Sequence, residues 1–247
     1  MSVPFFFAEN ILSDDEIILD EESSRHIVQV LRMKSGEKIL LTDGRGNAID
    51  GEIGNANKKH CTVNKIAVSF APRRSPALTI GISLTKNTSR FEWFLEKATE
   101  LGTAVIIPMI CDRTEKQHAR YERLASICRS AMLQSNQVWM PEMHQPSAFK
   151  DVVKNAVQQQ KLFGHIAGET KSLSETINIS KDSHIVLIGP EGDFSEEEVV
   201  LAKASGFEGV SFGKTILRVE TAGIYAAVMH AGFTQVSRKG AKEAQST

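Results

Sequence analysis

The chain has only three cysteines, Cys61, Cys111 and Cys128, an odd number with no Cys-x-x-Cys spacing. That points to neither a disulfide frame nor a zinc site, and it fits a reducing, cytoplasmic compartment. Its seven histidines are scattered without ligand spacing, so no metal is expected. No apolar run approaches membrane-spanning length, and the opening MSVPFFFAEN has no cationic stretch ahead of an apolar one. Neither a membrane span nor a signal peptide is therefore expected. An excess of charge is missing too, with 29 Lys and Arg against 30 Asp and Glu, so the overall balance does not advertise a polyanionic partner.

What is present is ordinary for a protein with a real core: 41% hydrophobic and 24% charged residues in a 247-residue chain. The distribution of charge says more than the sum. Residues 1–22 hold seven acids and no Lys or Arg, whereas residues 23–76 hold ten bases against four acids, a local excess of 10 − 4 = +6. That is enough for a basic face on a small domain, although an ordinary solvated surface would read the same way.

Residues 3–70 read as β-rich, with strands expected at 5–8, 17–19, 38–41, 47–53 and 61–70. A helix over 22–32 interrupts them, and so many short strands predict a small barrel. Gly44-Arg45-Gly46 lacks the third glycine and the βαβ setting of a dinucleotide fingerprint and is read as a hairpin turn. The stretch APRRSPA at 71–77 is the expected linker.

Beyond it, strands expected at 78–84, 104–110, 161–167 and 184–188 alternate with helices. One helix is opened by Ser89-x-x-Glu92 and closed by Gly102, and others are expected at 120–134 and 147–160. In the 147–160 segment Phe149, Val152, Val153, Ala156 and Val157 share a face. This alternation implies an α/β fold with a mostly parallel sheet covered by helices. The domains expected are 1–73, 74–237 and a disordered tail, 238–247.

The most informative stretch runs from His184 to Gly232. A buried strand ends at Gly189-Pro190-Glu191-Gly192, and Ser195-x-x-Glu198 is a capping box with Phe194 and Val199 as its hydrophobic staple. Gly206 is placed to stop that helix. The glycine loop thus lies at the carboxyl end of a strand and the amino end of a helix, where open α/β sheets bind ligands. Five acids crowd it and no Lys follows the glycines, so a triphosphate would be repelled and a neutral or partly cationic ligand fits better. Further on, Ile216-Leu217-Arg218-Val219-Glu220-Thr221-Ala222 sets an Arg and a Glu between an apolar run and an Ala-rich helix expected at 221–232.

GPEG followed by ILRVETA resembles the SPOUT methyltransferases, specifically the bacterial family that methylates N3 of a uridine in small-subunit (16S) ribosomal RNA. The segments RHIVQVLRMKSGEKILLTDGRG, RFEWFLEKATEL and Cys111-Asp112-Arg113-Thr114 extend the likeness. Asn136 and Thr215 depart from it, at positions where relatives tend to carry a basic residue. The resemblance implies a PUA-like N-terminal domain that helps hold RNA, and a transferase domain with a C-terminal trefoil knot that forms the pocket for S-adenosylmethionine. It also implies a homodimer acting on ribosomal RNA or the small subunit.

Carried across, the donor pocket would comprise Ile166, Ala167, Gly168, Ile188, Gly189, Pro190, Glu191, Gly192, Phe212, Gly213, Ile216, Leu217 and Thr221. Arg25, His26, Arg32, Arg90 and Arg113 become the RNA-facing candidates. Uracil N3 carries a proton and is a poor nucleophile until it leaves. Arg218 is therefore proposed to stabilise charge on the uracil oxygens, with Glu220 as base or as orienter of Arg218. The alternatives are a SPOUT enzyme acting on transfer RNA or a ribose hydroxyl, and an RNA-binding protein with a degenerate transferase domain.

Overall fold

A computed structural model describes residues 3–165 and 170–244, with backbone alone from residue 235. The chain forms two compact units, one of Met1–Arg73 with Met132–Met140 and one of Arg74–Ala131 with Pro141–Thr247.

In the first unit β1 (Phe5–Phe7) and β2 (Glu16–Ile18) precede α1 (Glu21–Arg25), which runs into a π turn at His26–Val30. Asp20 caps α1, its carboxylate accepting from Ser23 N at 2.7 Å. The strands β3 (Lys38–Thr42), β4 (Asn47–Ile53) and β5 (Thr62–Phe70) follow. The sheet order is β1-β3-β4-β5-β2, parallel only between β1 and β3. Ile39 and Leu41, then Ile49 and Ile53, alternate inward and are fully buried with Ile11, Ile27 and Val63. Each such side chain contributes about 1.5–3 kcal/mol relative to exposure. The sequence pattern suggests a barrel, but β1 and β2 end the sheet without pairing to each other, so it is a curled sheet with two edges.

The hairpin reading of Asp43–Gly46 holds: Asp43 Oδ1 accepts from Arg45 N at 2.7 Å, and Gly44 and Gly46 both have positive φ. A stretch far along the chain completes this turn. Gly46 N donates to Val138 O at 2.8 Å and Met140 N to Gly44 O at 2.9 Å. Trp139 packs so closely that a Cβ on Gly46 would lie 2.6 Å from its ring, and its Nε1 donates to Ala71 O at 2.8 Å.

The second unit begins with β6 (Ala77–Ser83), α2 (Thr88–Glu100), β7 (Val105–Ile110) and α3 (Tyr121–Gln134), whose last turn belongs to the first unit. Next come β8 (Glu142–Met143), β9 (Ser147–Ala148), α4 (Phe149–Asn155) and β10 (Gln160–Gly164). The unit closes with α5 (Leu173–Thr176), β11 (Ser183–Ile188), α6 (Glu196–Ala204), β12 (Glu208–Val210) and α7 (Val219–Ala244). The sheet order β12-β10-β11-β6-β7-β8 is parallel throughout, with β9 also paired to β7. The central strands β6 and β11 are buried almost end to end, as strands covered on both faces must be.

Local details differ from the sequence reading. Asn87, not Ser89, caps α2, its side chain accepting from Ser89 N at 2.9 Å. The helix expected at 147–160 is only Phe149–Asn155, and Val157 is 87% exposed instead of sharing the buried face. The backbone turns extended at Ala156, and Gln159 N then donates to Ser183 Oγ at 3.2 Å, which feeds the chain into β10. The last helix runs Val219–Ala244, through much of the segment for which disorder is expected; residues 245–247 lie outside the described residues.

This helix packs on α2, β6 and β11. A Cβ on Gly223 would lie 2.6 Å from the Phe94 ring, so only glycine admits that approach. Deeper in, His230 Nε2 lies 3.1 Å from His184 Nδ1, and His184 Nε2 lies 2.9 Å from Asn178 O. A carbonyl can only accept, so His184 carries its proton on Nε2 and His230 donates to it. Burial pushes both imidazoles toward the neutral form, His230 to about 4 with His184 adding to the effect.

Candidate functional site

The parallel sheet changes direction between β6 and β11: the chain leaves β6 for β7 on one side, while β10 and β12 lie on the other. A crevice outside the carboxyl ends of these strands is the expected ligand site of such a sheet. Two loops named by the sequence reading follow β11 and β12, strands of this sheet.

The first, 189–192, is braced from several directions. Ser195 and Glu198 form both halves of a capping box, and Glu198 is buried. Ser195 Oγ donates to Asp112 Oδ2 at 2.6 Å, and Asp112 N donates to Glu198 Oε1 at 3.0 Å. Arg113 Nη1 donates to Gly192 O at 2.6 Å. The loop after β7 is fixed in turn, since Thr114 Oγ1 lies 2.8 Å from Ser83 Oγ and accepts from Cys111 N at 2.9 Å. Burial, helped by Glu198, pushes the Cys111 thiol well up, which favours its protonated form. Phe194 closes the floor against Phe149, with ring centroids 5.1 Å apart.

The second loop runs from β12 to α7. Ser211 Oγ donates to Gly213 O at 3.0 Å, and the Phe212 ring meets Tyr225 edge-on at 5.9 Å. Gly213 has φ +124°, and among the described residues no atom lies within 4 Å of where a Cβ would sit. Ile216 is 82% exposed. Arg218 is exposed and its carbonyl accepts from Ala222 N at 2.8 Å, starting α7.

Glu220 is buried, and the ion pair formed by its carboxylate is with Arg90 of α2, at 3.7 Å. The sequence reading gave Glu220 as base or as orienter of Arg218; the ion-pair partner seen here comes from 130 residues upstream (220 − 90). Likewise the Asp112–Ser195–Glu198 bracing was missed, although the capping box and the Cys111–Thr114 run were its visible halves.

Of the other donor-pocket candidates, Ile188 and Pro190 are buried, Glu191 and Thr221 exposed, and Leu217 half-buried. Ile166, Ala167 and Gly168 lie outside the described residues. Just before them, His165 has a buried Nδ1 with no hydrogen-bond partner among the described residues, 4.0 Å from Asp193 Oδ2. No cluster of His, Cys, Asp and Glu suited to a metal occurs among the described residues, nor any helix long and apolar enough to cross a membrane.

The sequence profile of the RNA methyltransferase domain matches residues 73–231. The chain belongs to the RNA methyltransferase family. The profile of the RNA methyltransferase PUA domain matches residues 19–66, within the first unit. Ribosomal RNA small subunit methyltransferase E 2 of Borreliella burgdorferi is 30% identical over 228 residues, covering 88% of this chain and 92% of its own. A probable rRNA-methyltransferase from Porphyromonas gingivalis superposes with a TM-score of 0.88 at 31% identity, over 95% of this chain and all of that one (100%). Ribosomal RNA small subunit methyltransferase E from Neisseria gonorrhoeae, solved bound to S-adenosyl methionine, gives 0.84 at 28% identity, over 94% and 98% of the two chains.

In this family member the RNA-facing candidates are divided between the two units. Arg25 is exposed and paired with Glu21 at 2.7 Å, His26 packs edge-on against Phe6 at 5.6 Å, and Arg32 is exposed with φ +56°. In the second unit Arg90 and Arg113 are committed to Glu220 and Gly192 O.

Proposed function

We propose that this protein transfers a methyl group from S-adenosylmethionine to N3 of a uridine in small-subunit ribosomal RNA. The observation that carries this reading is the match to a relative solved with that donor, over nearly the whole chain, with the two motif loops following parallel strands of one sheet. The residues present fit the donor. Exposed Ile216 in the second loop, the acids of the first, and a His165 Nδ1 without a hydrogen-bond partner among the described residues suit a partly cationic ligand carrying an apolar and a hydrogen-bonding face. Residues 188–192, 212–217 and Thr221 would hold it. Bound there, S-adenosylmethionine supplies a methyl group on a positively charged sulfur.

The protein's own part is to make N3 nucleophilic and hold it in line. As the N3–methyl bond forms, the N3 proton leaves, and Glu220 is the residue we assign to accept it. Arg90 fixes the Glu220 carboxylate. The Arg218 guanidinium stabilises the negative charge that develops on the uracil oxygens. Arg25, His26 and Arg32 contribute RNA contacts from the first unit.

The return of the chain from edge strand β12 to α7 on β6 and β11 supports the knotted path that the resemblance implies. Exposed Trp93 on α2 and Val228 on α7 support a homodimer through these two helices; light scattering at the mass of one chain, with full activity, would refute it. For the reaction itself, small-subunit ribosomal RNA from cells lacking this protein is digested and mapped by mass spectrometry. Loss of one 3-methyluridine is expected. An unchanged 3-methyluridine content, together with no heat of S-adenosylmethionine binding to the pure protein, would sink the reading.

A further inference from the structure

A second concavity of about 440 Å³ opens in the transferase unit, lined by none of the residues assigned above. Its rim carries Lys116, His118, Arg120 and Arg123, and its floor is Leu84, Phe91 and Leu124. Glu92 is the one acid in the lining, and it is already engaged by Arg123, whose Nη2 donates to Glu92 Oε2 at 2.8 Å. Three cations against one carboxylate leave a net +2 over an apolar floor. The Thr88 hydroxyl on the wall accepts from Lys116 Nζ, placing that ammonium at the start of α2, where the helix dipole also favours an anion.

The position of this cavity connects it to the reaction. Leu84 and Thr85 directly follow β6, at the carboxyl edge where the donor loops open. Residues 116–120 continue the loop whose Arg113 and Asp112 brace the glycine loop. Phe91 follows Arg90, the partner of Glu220, so the cavity and the Arg90–Glu220 pair both involve the first turns of α2.

We infer that this cavity is a nucleotide subsite: it takes a phosphate-bearing nucleotide of the RNA next to the one methylated. The phosphate lies against Lys116 and Arg120, and the sugar or base covers the apolar floor. The volume matches one small-molecule-sized group, and phosphate contacts of this kind fix register without reading sequence. The inference rests on the function proposed above.

The test uses the full chain and a fluorescein-labelled 12-residue oligouridylate, titrated at several salt concentrations, with S-adenosylmethionine affinity measured in parallel by calorimetry. For the Lys116→Ala/Arg120→Ala double variant we expect at least a roughly ten-fold loss of RNA affinity, a log–log salt slope shallower by about 0.7 for the one phosphate released, and unchanged donor affinity. The Lys116→Arg/Arg120→Lys double variant should restore most of the binding. Lys150→Ala/Lys154→Ala, exposed on α4, should leave it near the wild-type value. RNA affinity unchanged in the first variant, or an equal loss in the α4 variant, overturns the subsite while leaving the methyl-transfer reading intact. Absence of any methyl transfer by the wild-type protein overturns both.

Discussion

The two loops at the carboxyl edge are both plain in the sequence, yet they are built in opposite ways. The GPEG loop is held by two neighbours on the loop after β7, Arg113 on its carbonyl and Asp112 on the helix cap, and by Phe194, which follows it and packs beneath Gly189. The ILRVETA loop is exposed at residues 213–216 and is tied down mainly where α7 begins and packs. The contrast teaches that one wall of the crevice is set before any ligand arrives. The other has latitude to settle on what binds, as loops with few buried contacts do.

Four measurements break or sharpen this contrast. The largest effect belongs to the adaptable wall. Arg218→Ala should lower methyl transfer by about 10²–10³-fold, with S-adenosylmethionine affinity nearly unchanged by calorimetry. A wild-type rate would remove Arg218 from the chemistry. Next is the anchor behind that wall, the His184–His230 pair. Both groups hold protons less readily when folded, so their contribution is full above the ordinary histidine value near 6.5 and is lost as pH falls toward about 4. Thermal melts should drop across that window, by at most about 1.4 kcal/mol per pH unit per histidine. His230→Gln should flatten the profile, and an unaltered profile would contradict the buried pair.

On the braced wall, Ser195→Ala removes the cap and the Asp112 partner together, and should cost about 1–2 kcal/mol in denaturant unfolding. A neutral result would mean that the bracing contributes no stability. The smallest effect is kinetic. Amides of 214–217 should exchange with deuterium faster than those of 193–199, and donor binding should slow the former more. Equal protection in the free protein would erase the contrast between the walls.

Much of the fold was legible because local chemistry and tertiary packing agree. The run 47–53 is a strand with its inward residues apolar, and α6 is bounded by a real capping box and by Gly206 at φ +83°. Where the two diverge, the sequence misleads. Apolar spacing continues past Asn155 to Val157, but the chain is needed for β10 and leaves the helix. Ser89 and Asn87 are both good caps, and the helix starts at the earlier one. At the site the glycine loops announce themselves through backbone demands. The pairing of Glu220 with Arg90 and of Asp112 with Ser195 could not be read, because each joins residues brought together only by the sheet order.

The stretch Met132–Met140 has a consequence for how the molecule is made. Because Val138 and Met140 complete the Asp43–Gly46 hairpin and Trp139 seats on Gly46, the amino-terminal unit lacks a piece of itself until residue 140 has been synthesised. A cut at residue 73 would leave both halves defective: one with an uncovered hairpin, the other with a tryptophan looking for its seat. Expression of either alone is thus expected to give sticky, poorly soluble material, and mixing the two to recover a soluble pair.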